Sequence, residues 1–331
     1  MSNVNTMKIK FDKEIIRKMF SGNYRPYWFL LVVVGISTAI EPAFISMQNI
    51  RALAVASSLI MILAVAEALV VLTGMIDLGL EAVLASAGVI AAVLNIVYGM
   101  PAWISVSVPL VYGIIIGLIN GLLVTKAGIP SFVTTLGMYW GLRGVALVIS
   151  KGVPIQPASV TPSRPITFSG FAGNIFNFPV MMLIAIVVTV IFQIFVSNSK
   201  KGIDIYAIGG NETAARNCGI KTDSTKILVF IISGFLSALA GVMMTAWIRQ
   251  GYAWTAQGYS LNAVAAIVLG GVAFTGGYGT IIGAAIGAVV VVIISNMITL
   301  TGISPMYNYI AIATVLIVAG LQVHKSKTFV K

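Results

Sequence analysis

Apolar residues in this chain fall in long unbroken runs, without the alternation of a half-buried strand or the narrow stripe of a surface helix. Ten segments, at about 27 to 41, 52 to 73, 79 to 97, 101 to 124, 131 to 150, 179 to 197, 226 to 247, 259 to 274, 280 to 300 and 305 to 323, carry little or no charge. Most approach the ~20 residues that an α-helix needs to cross the hydrocarbon core of a bilayer. Backbone groups in lipid must be satisfied within the segment, so the runs predict helices. The expected fold is an all-α polytopic membrane protein of about ten transmembrane helices. The segment at 259 to 274 is the shortest and is rich in glycine.

An even number of crossings puts both termini on one side, and the basic residues test this. Those of residues 1 to 26, together with Lys126, Lys200, Lys201, Arg216, Lys221, Lys226 and the lysines of 324 to 331, fall on the shared side. Arg51, Lys151, Arg164 and Arg249 fall opposite, and Arg143 sits inside a segment. Cationic loops stay inside, so both termini are expected to be cytoplasmic. The chain then divides into a cytoplasmic tail (1–26), a transmembrane domain (27–323) with an extracytoplasmic loop (151–178) and a cytoplasmic loop (198–225), and a second tail (324–331). Residues 1 to 25 have no apolar core or small-residue cleavage site, so no cleaved signal peptide is expected there.

Composition agrees with this picture: 9% of the residues are charged, mean hydropathy is +1.02, and the net charge of +11 is accounted for by loop asymmetry rather than by a nucleic-acid surface. One cysteine, Cys218, and one histidine, His324, leave no disulfide framework and no metal site. No phosphate-binding loop of the G-x-x-x-x-G-K-[ST] type occurs, and no nucleophile or acid–base pair stands in a plausible site, so the chain reads as a non-enzyme that binds no cofactor itself.

Glycines recur every fourth residue at Gly113, Gly117 and Gly121 and again at Gly279, Gly283 and Gly287, which places each triplet on one helix face for close packing. The matched ladders suit two inverted four-helix halves, the second to fifth and the seventh to tenth segments.

The stretch IYAIGGNETAARNCGI (205 to 220) is different in kind. Asn211 is a capping residue, Glu212 complements the positive end of a helix, and Gly219 supplies a left-handed stop, so about two turns are predicted. Its body has no bulky apolar residue to sink into a membrane surface. A solvated linker and a prong gripped by another protein are the two readings the residues leave open.

This stretch, together with LTGMIDLGLEAV (72 to 83), GIPSFVTTLGMYWGLRGVALV (128 to 148) and LNAVAAIVLGGVAFTGGYGTIIGAAIGA (261 to 288), resembles the ribose-type permease subunits of binding-protein-dependent sugar ABC transporters. The resemblance covers nearly all of the chain after the first tail. It implies an importer in a bacterial inner membrane in which two permease copies, identical or paralogous, form the pathway. Two cytoplasmic ATPase subunits carry ATP and Mg²⁺, and an extracytoplasmic sugar-binding protein delivers a monosaccharide or polyol. It also implies that Asn211, Glu212, Thr213, Ala214, Ala215, Arg216, Asn217, Cys218 and Gly219 form the coupling helix that seats in the ATPase. Permeases for nucleosides or branched-chain amino acids, and an ion-coupled symporter using Glu67, are the alternatives.

Ionisable groups at membrane depth are costly and are functional candidates by default. Glu67, Asp77, Glu81 and Asn262 are the expected pathway or gate residues. Glu67 can touch cargo or link neighbouring helices. Asp77 can simply cap the following helix, and Glu81, a turn further on, can be solvated. Arg143 is expected to snorkel outward along its stem, tying the structure or docking the delivery protein. Trp247, Tyr252, Trp254 and Tyr259 read as an interfacial aromatic belt, with sugar stacking as the alternative.

Overall fold

The computed structural model describes residues 25–304, 306–315 and 317. Nearly all of the first tail, the second tail and the later part of the tenth segment lie outside the described residues. The helices are α1 (Arg25–Ile40), α2 (Met47–Leu72), α3 (Leu80–Ala92, continued by a π-helical turn at Val93–Val97), α4 (Ala102–Thr125), α5 (Ser131–Ser150), α6 (Val180–Asn198), α7 (Lys200–Gly210), α8 (Glu212–Asn217), α9 (Thr222–Ile248), α10 (Tyr259–Leu269) and α11 (Ile281–Leu300). A further helical stretch runs over 307–315. Seven of these elements, among the described residues, are long and apolar enough to cross a membrane: α2, α3 with its π turn, α4, α5, α6, α9 and α11.

The bundle is built around α2 and α9. Every residue of α2 from Ser57 to Leu72 is buried, as expected of a helix apolar on all sides. Packing runs crosswise along the sequence: α3 and α4 lie on α9, while α10 and α11 lie on α2. Glycines set the closest approaches. A methyl group built on Gly117 would overlap the Phe230 carbonyl of α9, and one on Gly287 would overlap the Ala266 carbonyl of α10. The two ladders therefore meet different partners. Gly279 is not on a helix at all: its φ of 134° places it in the turn before α11, where it meets Val272, so the second ladder is two helical glycines and one turn glycine.

Two elements depart from uninterrupted spans. The segment expected at 259 to 274 is an eleven-residue helix, α10, about 16 Å long at 1.5 Å per residue, which is half a membrane. The chain reaches its start through the non-helical residues 249–258 and leaves through a glycine-rich turn, where left-handed Gly271, Gly276 and Gly277 stop the helix and turn the chain. Segment 73–79 has the mirror role before α3. Its start lies at the end of the bundle holding α7, where the Gly277 N–H donates to the Leu72 carbonyl (3.0 Å). Its later residues climb inward, with Leu78 N–H donating to Thr135 Oγ1 (3.1 Å). Non-helical backbone at this depth is tolerable because it is covered by protein.

The opposite end of the bundle is closed by residues 151–178. Much of this loop is turns and short 3-10 helices, with a small hairpin, β1 (Asn174–Ile175) and β2 (Phe178–Pro179), at its end, and it buries Ile155, Ile166 and Phe168. Asn95 fixes this cover to α3, donating to Thr167 Oγ1 (2.6 Å) and accepting from the Thr167 N–H (3.0 Å).

Candidate functional site

The two broken elements meet. The N-termini of α3 and α10 have glycine caps, Gly79 and Gly258, without a side-chain cap, which leaves orphan N–H donors inside the bundle. Each helix supplies what the other lacks. The Glu81 N–H donates to Ser260 Oγ (3.2 Å), the Ser260 N–H donates to Glu81 Oε2 (3.0 Å), and Ser260 Oγ donates to the Leu78 carbonyl (3.2 Å). A carboxylate between two positive helix ends is also electrostatically favoured.

Arg143 completes the arrangement from α5, twelve residues along, or about 18 Å from its start. Its Nη2 pairs with Glu81 Oε1 (3.0 Å), and its Nη1 donates to the carbonyls of Ala253 and of Thr255 (3.1 Å). Its guanidinium lies over the rings of Tyr139 (5.4 Å) and Trp254 (5.6 Å). The snorkelling expected of Arg143 does not occur: the side chain is 1% exposed because its charge is met in place by Glu81 and by carbonyls of the 249–258 segment. Glu81 is likewise not solvated, at 4% side-chain exposure. Trp254 belongs to this buried cluster through the Arg143 face rather than to an interfacial belt, while Trp247 at the end of α9 is 42% exposed.

Asp77 braces the turn before α3 without being its cap. Its Oδ1 accepts from the Gly79 N–H (2.9 Å) and its Oδ2 from Ser233 Oγ of α9 (2.8 Å). Glu67, fully buried on α2, accepts from the Asp77 N–H through Oε1 (3.4 Å), while its Oε2 has no hydrogen-bond partner. The three acids thus form a continuous seam from α2 through 73–79 to α3 and α10, and Asn262 stands apart from it.

Asn262 lines a cavity of about 670 Å³ on the side of α10 away from the ion pair. Its walls are Ala56 and Ile60 of α2, residues 257–259 and Leu261 at the start of α10, Val291, Val292 and Ser295 of α11, and the face of 306–313 that carries Asn308 and Tyr309. No charged residue among the described ones lines it. The sequence had singled out Asn262 but not Gln257, Asn308 or Tyr309. The only available signal was their polarity at the margins of apolar runs.

At the end holding α7, the predicted cap is present. Asn211 Oδ1 accepts from the Ala214 N–H (3.0 Å), and Gly219 has a φ of 85°. The helix α8 is six residues, shorter than the two turns expected, since the chain leaves helical geometry at Cys218. Ala215 faces inward, while Thr213, Ala214, Arg216, Asn217 and Cys218 are exposed. Ion pairs tie α8 down: Glu212 to Lys226 (2.6 Å) and Arg216 (3.4 Å), Arg216 to Asp223 (3.2 Å), and Asp223 to Lys126 at the end of α4 (2.9 Å). The prong is thereby fixed to α9 and α4, the pair packed through the first glycine ladder.

Comparison with known proteins identifies the family. Residues 49–320 match the family described as branched-chain amino acid transport system / permease component. The ribose import permease protein RbsC of Haemophilus influenzae is 34% identical over 297 residues, covering 90% of this chain and 91% of that protein. The fructose import permease protein FruF of Bifidobacterium longum is 33% identical over 270 residues, covering 80% and 75%. The D-allose transport system permease protein AlsC of Escherichia coli is 29% identical over 302 residues, covering 91% of each. No solved structure matches. Matched across most of its length, and carrying seven helices of membrane-spanning length and apolarity, the chain is a multi-pass membrane protein and belongs to this family of transport-system permeases.

Proposed function

We propose that the protein is the permease subunit of an ABC importer for a monosaccharide or polyol, lodged in a bacterial inner membrane with both termini cytoplasmic. The observation that carries the reading is α8: a capped, polar prong without a bulky apolar face, held by ion pairs to α9 and α4. It is set on the basic side of the molecule, where a cytoplasmic ATPase would grip it. The sugar import permeases among its relatives point to the cargo.

The crosswise packing of α3 and α4 on α9, and of α10 and α11 on α2, supports two inverted halves. In this reading the ATPases, holding ATP and Mg²⁺, pull on residues 211–219 and tilt α9 and α4 together. The reciprocal cap of α3 and α10 is the joint between the halves and the gate they share. A second permease copy and an extracytoplasmic sugar-binding protein complete the assembly. The chain itself performs no covalent chemistry. An amino-acid cargo would want countercharges for its ammonium and carboxylate, whereas no charged residue among the described ones lines the cavity. A Glu67-driven symporter would need that carboxylate on the pathway, and it is buried in the seam away from the cavity.

The docking test is Ala214→Trp on the exposed face of α8, which is expected to abolish co-purification of the co-expressed ATPase while membrane insertion stays intact. Ala215→Trp is the contrast, because that side chain points into the protein and its replacement disturbs the fold itself. Unchanged co-purification with Ala214→Trp removes the coupling role. Uptake that stops with an uncoupler but survives vanadate replaces the ABC reading with the symporter.

A further inference from the structure

We propose that the β1–β2 hairpin at the end of the 151–178 cover is a lipid-docking surface, seated by Ile175, Phe176 and Phe178 in the headgroup layer of the leaflet beside it. The proposal requires only that α6 crosses the membrane, so it is independent of the cargo and of the ATPase.

The hairpin is poorly suited to water. Phe176 is fully exposed at its tip, and Ile175 and Phe178 beside it are 50% and 40% exposed. Both turn residues are left-handed, Phe176 with a φ of 48° and Asn177 with a φ of 67°. A tight two-residue hairpin turn asks for that geometry, which glycine and asparagine adopt readily and a bulky ring does not. At full exposure the ring gains no packing within the chain that would hold it there. A backbone outlier without an internal cause points to a contact outside the fold.

Position says what makes that contact. The N–H of Val180, the first residue of α6, donates to the Gly173 carbonyl (3.0 Å) and closes the base of the hairpin. With 19 residues at about 1.5 Å each, α6 is about 29 Å long, against a hydrocarbon core of about 30 Å. Lys200 and Lys201 follow directly at its other end, so the helix has no length to spare and begins at the hydrocarbon boundary. From the base each strand runs two residues to the tip, about 7 Å at ~3.4 Å per residue. A headgroup layer is about 5–8 Å deep, so the hairpin ends within it.

Charge and continuity agree with lipid. No charged residue occurs between Arg164 and Lys200. Val180 also lines a groove of about 440 Å³ with Trp103, Val106, Phe171 and Ile184, again without a charge. Apolar surface therefore leads from the hairpin through this groove to the exposed Val187, Val190 and Ile191 of α6. Tyr98 and Trp103, both well exposed, stand at the same end, as aromatic residues do at a membrane–water interface. A protein partner would want polar groups around an apolar centre, and the hairpin offers only the side chains of Asn174 and Asn177.

The test uses the full-length chain in phosphatidylcholine–phosphatidylglycerol nanodiscs whose acyl chains are brominated near the headgroup. In a Cys218→Ser background, a bimane fluorophore is placed on Phe176→Cys or on Asn177→Cys, the second of which keeps the ring. Both are expected to be quenched about twofold by the brominated lipid, as an apolar element set into the headgroup–acyl boundary would be. Val187→Cys on α6 should behave in the same way, and Ala158→Cys, exposed elsewhere in the cover, should not respond. Phe176→Asp is expected to remove the lipid quenching at Asn177→Cys while the level in the membrane stays normal. Quenching at Asn177→Cys no greater than at Ala158→Cys overturns the proposal and leaves the importer reading untouched. Shielding of the Asn177→Cys label from aqueous iodide without quenching by lipid places a second copy or another protein on the hairpin, and overturns it equally.

Discussion

The Glu81–Arg143 ion pair and the ion pairs around α8 differ in almost every respect that decides what an ion pair does. Around Glu81 and Arg143, side-chain exposures are 4% and 1%, and each charge has further polar partners. Around α8, the side chains of Glu212, Arg216 and Asp223 are 40%, 61% and 36% exposed and share partners in a loose network. The first fixes a joint between helices that no solvent can help. The second orients a surface prong that water would solvate in any case. The comparison teaches that position, not the number of pairs, sets the energy: a buried pair has its desolvation already spent and cannot lose one member cheaply.

The largest expected effect follows directly. Arg143→Ala leaves Glu81 as an uncompensated buried charge between two helix ends and is expected to destabilise the protein by about 3–5 kcal/mol. Thermal unfolding in lipid nanodiscs, or a collapse of the level in the membrane, reads it out. Arg143→Lys retains the charge but not the planar fork that reaches Glu81 and two carbonyls at once, so it falls between the two. A wild-type melting temperature for Arg143→Ala would mean that the joint is not held by this pair, and the contrast with α8 would vanish.

Glu67 tests the space between the extremes, being fully buried but not ion-paired. Glu67→Gln keeps an acceptor for the Asp77 N–H and is expected to leave both stability and sugar uptake near wild type. Glu67→Leu orphans that N–H and is expected to cost about 1–3 kcal/mol by thermal unfolding. If Glu67→Gln folds normally yet stops uptake, the carboxylate belongs to the cargo path and the seam is not merely structural.

How much of this was legible beforehand depended on sequence distance. The boundaries of α4, α5, α6 and α11 fall within a residue or two of the apolar runs, because the requirement for satisfied backbone in lipid acts locally. The α8 cap was readable for the same reason: Asn211 and Ala214 are three residues apart. The breaks before α3 and α10 were readable too, at 73 to 79 and 247 to 259, but the early end of α10 at Leu269 and the inward course of the two connecting segments were not, since only distant partners hold that non-helical backbone. Glu81 and Arg143 are separated by 62 residues and Glu81 and Ser260 by 179. Each looked like an isolated anomaly. Two opposite charges in apolar segments, each too costly alone, were a signal for pairing, and it pointed inward where snorkelling would have pointed out.

The smallest expected effect is at the exposed cluster. Glu212→Gln removes the pairs with Lys226 and Arg216 but leaves Asn211 to cap the helix and Asp223 to hold Arg216. The Lys226 side chain is 14% exposed but Glu212 is 40% exposed; exposed pairs contribute about 0.2–1 kcal/mol and the screening length is about 8 Å at physiological ionic strength, so the loss in thermal stability should stay well below that of the buried pair and should shrink as salt is raised. Uptake driven by ATP is a separate readout, because a prong loosened from α9 transmits less of the motion applied to it. The variant should therefore lose transport out of proportion to stability. A stability loss as large as that of Arg143→Ala, independent of salt, would show that the α8 pairs are a structural joint like the buried one, and the division of labour between the two clusters would fail.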